Sequence, residues 1–286
     1  MDAAAPMLAK AYTPEAARFP ALVQPKLDGV RMLVSVDAEG NVGSLRSRTG
    51  KSFDHLRDSM FPSNKKIGGR TVAVLDGELY AHGLGFQAIV SAVKNRRKAA
   101  ALLSSSSSSA LRYHVYDIMT DDGALLGYAK RHAILRRVVE AHPAWRVALV
   151  PTERARSAAD VERLMERWHE REGYEGVMVR DSSDDAAYEP GRRSATLLKL
   201  KRFDDAEFEI VDVETAAGKD AGTAVFVCRV GERTFRARPL GTLAERRQML
   251  RDRPELIGKP LTVRYQGLTD DGIPRFPVGV AVRVYE

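Results

Sequence analysis

The sequence predicts an α+β domain followed by a small all-β barrel. Through residue 203, β-branched runs alternate with helical stripes; beyond it, composition shifts to short strand-like runs broken by Gly and Pro. A chain of 286 residues, at about 150 residues per domain, holds two such domains, and we place the boundary at 203/204. With 44% hydrophobic and 29% charged residues, the chain can bury a core, which excludes wholesale disorder and a collagen-like fibre. No period of about 20–50 residues repeats, which sets solenoids and propellers aside.

Ala21–Gln24 and Val30–Val36 read as strands on either side of Lys26-Leu27-Asp28-Gly29, because Asp-Gly between β-rich runs signals a turn. Lys26 therefore sits at a strand end. Thr71–Leu75 is a further strand, ending at Asp76-Gly77-Glu78. Phe86–Leu103 reads as one helix with a basic stretch at Lys94–Lys98, and the serines at 104–109 break it into a loop before the strand Tyr113–Met119. Gly127–Ala141 and Ala158–Arg171 are predicted helices. In the second, Val161, Leu164, Met165 and Trp168 recur at helical spacing as a core stripe, and Ser157 with Asp160 resembles a capping box. Tyr174–Arg180 and Thr196–Phe203 are strands again.

After Asp204-Asp205 come runs at 207–214, 223–230, 233–238 and 260–266, with one helix capped by Thr242 and Glu245. About five short strands around one helix suggest a small barrel of the oligonucleotide-binding (OB) type.

The single cysteine, Cys228, excludes an intrachain disulfide and a four-thiolate zinc site. There is no secretion signal and no run of about 18 apolar residues, so a cytoplasmic protein that does not span a membrane is expected. The net charge of +7 is uneven: residues 204–286 hold 13 basic and 14 acidic side chains, leaving the surplus in residues 1–203. The first domain is the better holder of phosphates, although a solvated basic surface carries the same charge.

The chemistry concentrates there. Lys26-Leu27-Asp28-Gly29-Val30-Arg31 gathers an amine, a carboxylate and a guanidinium around a tight turn. An amine attacks phosphorus only in its neutral form, so neighbouring groups must favour that form; the bland alternative is two cations flanking a hairpin. Arg46, Arg48 and Lys51 surround a glycine turn able to hold phosphate, as a solvated loop also would. Glu78 and Glu175 each place a carboxylate beside glycine, suited to a ribose hydroxyl, to Mg²⁺, or to an ordinary turn. Tyr116 can stack on a base or fill the core. In Leu197–Phe203, strand alternation directs Lys199 and Lys201 to one face, about 6.5–7 Å apart, where they grip one phosphate or defend a sheet edge.

In chain order, Lys26-x-Asp-Gly-x-Arg31, Ser47-Arg-x-Gly50, Asp76-Gly-Glu78, Tyr116-Asp117, Glu175-Gly-Val and Lys199-x-Lys201 resemble the collinear motifs of covalent nucleotidyltransferases, specifically of ATP-dependent DNA ligases of the minimal two-domain Chlorella virus type. Phe235–Gly241 and Ile257–Arg283, with Pro274-Arg-Phe-Pro277, resemble the OB-fold domain of small ligases, so the likeness covers nearly the whole chain.

The resemblance implies an ATP-grasp-like adenylation domain with antiparallel sheets, ATP and Mg²⁺ as cofactors, nicked duplex DNA as partner, and a monomer. It implies Lys26 as nucleophile and Asp28 and Arg31 as helpers around the nick's 3′ end and the nucleotide. Arg48 is the implied reader of the 5′-phosphate, with Arg46, Lys51 and Arg192 as further DNA contacts. Gln24, Glu78 and Tyr116 are implied to hold nucleotide, Glu78 and Glu175 to hold metal, and Lys199 and Lys201 to contact the α-phosphate.

Two departures stand out. The region where the viral ligase carries a DNA-clamping hairpin is only about Glu214–Gly222, and the C-terminal Arg-x-Asp-Lys of many relatives has no counterpart, leaving Arg275 and Arg283 as substitutes. With no added DNA-binding domain in view, salt-sensitive nick binding through phosphate contacts is expected. An RNA ligase or an mRNA-capping guanylyltransferase shares the lysine-centred site, whereas an NAD-dependent ligase lacks its zinc-binding cysteines here. A barrel-containing nucleic-acid binder has no use for a nucleophile.

Overall fold

The computed structural model describes residues 5–62, 71–105, 110–120 and 126–283. The chain forms two compact units, residues 1–200 and 201–286. In the first, the strands are β1 (Leu8–Ala11), β2 (Ala21–Lys26), β3 (Val30–Asp37), β4 (Val42–Ser47), β5 (Thr71–Tyr80), β6 (Arg112–Thr120), β7 (Val147–Leu149), β8 (Glu153–Ala155), β9 (Gly176–Asp181) and β10 (Arg193–Lys201). The helices are α1 (Arg57–Met60), α2 (Phe86–Lys94), α3 (Arg96–Ser104), α4 (Tyr128–Ala141) and α5 (Ala158–Met165). One sheet has the order β1-β10-β9-β2-β8 and the other β4-β3-β5-β6-β7. The turn at residues 27–29 carries the chain from the first sheet to the second.

Each sheet buries one face against helices. Val161, Leu164, Met165 and Trp168 form a core with Val23, Val177 and Val179, so the predicted stripe is packing. The second core gathers Met32, Val34, Leu75, Val115 and Ile118 with Ile89, Val93, Ala99 and Leu135.

Three of the predicted elements take a different form, and β1, β4, β7 and β8 are not among those the sequence predicts. The predicted helix 86–103 is two helices, because Asn95 takes extended angles (φ −121°, ψ 111°) and its side chain accepts hydrogen bonds from Arg97 N and Lys98 N, capping a new start. Most of the serine run, 106–109, lies outside the described residues. Helix α5 passes at Glu166 into a π-helical turn reaching Arg171. Strand β5 does not end at Asp76 but runs on to Tyr80, which puts Glu78 inside a strand.

The second unit is a closed barrel with strand order β11-β12-β13-β15-β14, formed by β11 (Asp204–Thr215), β12 (Ala224–Val230), β13 (Arg233–Pro239), β14 (Pro260–Tyr265) and β15 (Val278–Val282), with α6 (Leu243–Arg251) and α7 (Arg253–Leu256). Alternation is clean in β13, where Phe235 and Ala237 point inward between exposed Arg233, Arg236 and Arg238. Thr242 and Glu245 form the expected capping box. Strand β15 was not legible as a run because Gly279 interrupts it; a Cβ there would meet Leu261 at 3.1 Å and Phe226 at 3.3 Å, so the glycine lets the core close over it.

Candidate active site

Lys26 ends β2 directly opposite Gly176 of β9, and Glu175 N donates to Lys26 O at 3.1 Å. This register sets the Glu175 carboxylate against the Lys26 amine as a hydrogen-bonded ion pair. Both side chains are largely shielded, 22% and 15% exposed, so water screens the pair weakly. Gly29 follows in the turn; a Cβ on it would lie 2.3 Å from Leu79 O and 2.9 Å from Glu78 Cγ. Only glycine brings the turn this close to β5.

Across β3 and β5, Arg31 stands opposite Glu78. Arg31 donates to both oxygens of Asp76, at 2.9 and 2.6 Å, and to Met7 O at 2.9 Å. Tyr188 Oη donates to Asp76 at 2.6 Å. Burial pushes the Glu78 carboxyl up to about 7, against the opposing pull of the Lys26 and Arg31 cations. A carboxyl balanced near neutrality can bond a hydroxyl or, beside a further cation, ionise and bind it.

Tyr116 lies in β6 at a β-bulge: Asp76 pairs with Asp117 and Gly77 with Val115, leaving Tyr116 as the extra residue. It is half-buried, its hydroxyl donates to Glu78 at 3.3 Å, and the Arg31 and Arg180 guanidinium carbons stand 5.7 and 5.4 Å from its ring centre. Gln24 is buried, with its side chain joined to Arg180 and Thr152. The site thus brings together Lys26, Arg31, Glu78, Tyr116 and Glu175, with Gln24 behind them and Asp28 in the turn.

The remaining predicted residues are placed as follows. Lys199 sits in β10 beside β1, with its carbonyl accepting from Tyr12 N at 3.0 Å. Lys201 opens the second unit, where its amine donates to Gln266 at 2.8 Å. Arg275 is half-buried in the barrel, with its guanidinium 5.6 Å from the Phe276 ring, and Arg283 bonds Thr262 at 2.8 Å. Arg46, Arg48 and Lys51 are exposed around the turn at Gly50 (φ +83°), and Arg192 is exposed before β10. The β11–β12 connection is the short stretch 216–223.

Sequence reading did not assign Asp76, Asp117, Arg131, Arg180 or Tyr188. Asp76 and Asp117 lie inside the motifs quoted for their neighbours and Arg180 ends the predicted strand 174–180; Arg131 and Tyr188 carry no local signal. Among the described residues no group of three or more His, Cys, Asp or Glu stands close enough to hold a metal. Glu78 and Glu175, close enough that each carboxylate feels the other, supply two hard oxygen donors of the kind that Mg²⁺ takes together with phosphate and water. Among the described residues no helix is long and apolar enough to cross a membrane.

A lysine–carboxylate pair at a strand end, a buried arginine and an aromatic over two sheets, followed by a five-stranded closed barrel, define a nucleotidyltransferase with an OB-like domain. Residues 6–201 match the family described as the ATP dependent DNA ligase domain, and residues 221–283 the DNA ligase OB-like domain. The chain belongs to the ATP-dependent DNA ligase family, which uses ATP. It is 29% identical over 263 residues to a probable DNA ligase of Streptomyces griseus, covering 88% of this chain and 45% of that protein. A solved Lig E DNA ligase superimposes with a TM-score of 0.74 at 25% identity, covering 97% and 98% of the two chains. The Chlorella virus DNA ligase–adenylate shares the fold, with a TM-score of 0.51 at 24% identity, covering 99% of each chain. The chain spans about half the length of the Streptomyces relatives it matches, 45% and 54%.

Proposed function

We propose that the protein seals 5′-phosphate/3′-hydroxyl nicks in duplex DNA, acting as a monomer in the cytoplasm. Lys26 Nζ attacks the α-phosphorus of ATP; the nitrogen–phosphorus bond forms as the bond to pyrophosphate breaks, and the amine releases its proton. AMP then passes to the nick's 5′-phosphate, freeing the lysine, and the 3′-hydroxyl oxygen attacks that phosphorus and expels AMP. The Lys26–Glu175 pair beside Glu78 and Arg31 is the observation that carries this reading, and the match to a Lig E DNA ligase over 97% of the chain supports it.

Each residue has a role in the proposal. Glu175 holds the Lys26 side chain at the cleft, Asp28 and Arg31 position nucleotide and 3′ end, Glu78 takes the ribose, Tyr116 stacks on adenine, and Gln24 backs the base pocket. Lys199 meets the α-phosphate. Glu78 and Glu175 would hold Mg²⁺, which would neutralise charge building on the phosphate oxygens. Arg46, Arg48, Lys51 and Arg192 contact the DNA backbone.

Incubation with Mg²⁺ and ATP labelled at the α-phosphate gives an acid-labile protein–AMP adduct, and a nicked duplex is then sealed. Absence of adduct, an equal adduct with Lys26→Ala, or labelling by GTP in place of ATP overturns the reading.

A further inference from the structure

We infer that Arg180, buried behind the nucleotide cleft, is a positioning residue for the adenylation step, acting through Tyr116. The inference rests on the ligase reading above. Arg180 of β9 is 3% exposed, and its guanidinium spends itself on two different sheets. Nε donates to Gln24 at 2.8 Å, two residues before Lys26 on β2, and Nη1 donates to Asp117 at 2.8 Å, next to Tyr116 on β6. Its plane lies over the rings of Tyr116 and Tyr128, 5.4 and 4.4 Å from their centres, and Tyr128 Oη donates to the Tyr116 carbonyl at 2.9 Å. One side chain thereby fixes both the strand bearing the nucleophile and the aromatic proposed to hold the base.

A purely structural account fits this arrangement poorly. Asp117 is shared by two buried guanidiniums, because Arg131 also donates to it at 2.8 and 3.2 Å, so Arg180 has no carboxylate of its own and is held by a shared one. Desolvating a charge is costly, and an apolar side chain of similar volume generally holds two packed layers together at least as well. What an apolar residue cannot do is fork to two acceptors while stacking on a tyrosine ring. That geometry holds Tyr116 at the bulge in one orientation, which is what a base-stacking platform requires.

The test is a pair of variants, Arg180→Met and Arg180→Lys, with Tyr116→Leu and the Arg180→Met/Tyr116→Leu double variant, read by adduct formation from α-labelled ATP. Each Arg180 variant should raise the ATP concentration for half-maximal adduct formation about tenfold, with the maximal rate changed less than about threefold. Because Arg180 acts through Tyr116, the double variant should lie within about twofold of the worse single one. Unchanged half-saturation in both variants, or effects that multiply in the double variant, overturns the inference. So does a parallel loss of maximal rate and melting temperature, or failure of both Arg180 variants to fold, since either assigns Arg180 to structure alone. Absence of adduct in the unaltered protein overturns the ligase reading and this inference with it; a normal adduct with unmoved Arg180 variants overturns only the inference.

Discussion

Arg31 and Asp76 meet fork to fork across adjacent strands, with hydrogen bonds of 2.9 and 2.6 Å to a carboxylate that is 1% exposed. Tyr188 donates a third bond to the same group, so Asp76 ties β3, β5 and the segment before β10 into one anchor for Arg31. Substituting Asp76→Asn removes the charge and leaves Arg31 facing a neutral amide. Breaking a buried pair in this way costs about 3–5 kcal/mol. Denaturant unfolding should show the loss as a lower midpoint at unchanged slope, and adduct formation should fall because Arg31 is no longer held. A midpoint within error of the unaltered protein contradicts the assignment.

The turn after Lys26 makes a second prediction. A methyl group at position 29 would lie 2.3 Å from the Leu79 carbonyl oxygen, a backbone atom that cannot rotate away. Gly29→Ala should therefore move the turn off β5, separating Lys26 from Glu78 while both cores remain packed. The expected outcome is adduct formation reduced at least tenfold, by the orientation argument, with far-ultraviolet circular dichroism preserved. Full activity in Gly29→Ala would show that the close approach does not position the lysine.

Much of this was readable from residues alone. The strands on either side of Lys26, the helices at 127–141 and 158–171 and the barrel follow from periodicity and turn signals, which are local properties; β1, β4, β7, β8 and β15 carry no such mark. The grouping of Lys26, Arg31, Glu78, Tyr116 and Glu175 follows from the resemblance of their short motifs. The network behind them was not readable. Arg131 and Tyr188 reach the site from α4 and from the loop before β10, where neither periodicity nor spacing marks a residue that bonds a distant carboxylate. The break at Asn95 escaped notice because the apolar spacing of α2 and α3 is nearly continuous, and only the side-chain cap reveals two helices. The sequence leaves Glu78 open between a ligand carboxylate and a turn residue, because Asp-Gly usually marks a turn; here Gly77 stays in the strand, since a side chain there would strike the His114 carbonyl and the Tyr113 ring.

His114 supplies a pH-dependent prediction. Burial, followed by the nearby Arg112 and His82, pulls its imidazole down to about 4 from the ordinary 6.5. Between those values the unfolded chain binds a proton that the folded chain refuses. The contribution of the neutral ring is complete above pH 6.5 and is lost as pH falls toward 4, by at most about 3 kcal/mol. In His114→Gln this part of the stability profile should flatten. Thermal or urea unfolding at several pH values measures it, and an unchanged slope removes His114 as the cause.

The exposed cations around Gly50 bear on how the protein grips its proposed substrate. Arg46, Arg48 and Lys51 all face solvent on a turn fixed by Ser47, whose hydroxyl accepts from Lys51 N at 2.9 Å and whose carbonyl accepts from Gly50 N at 2.9 Å. A fixed turn with exposed cationic side chains suits phosphates, and each phosphate contact releases condensed counterions, so affinity should fall steeply between about 50 and 200 mM salt. Replacing Arg48 with Ala should weaken nicked-duplex binding and reduce the slope of log affinity against log salt by about one. Adduct formation, which needs no DNA, should remain within about twofold, since ATP binding does not draw on that counterion release. Fluorescence anisotropy across a salt series decides the matter: a slope unchanged in Arg48→Ala would mean that this turn does not touch the duplex, and equal loss of adduct formation would place Arg48 at the nucleotide instead.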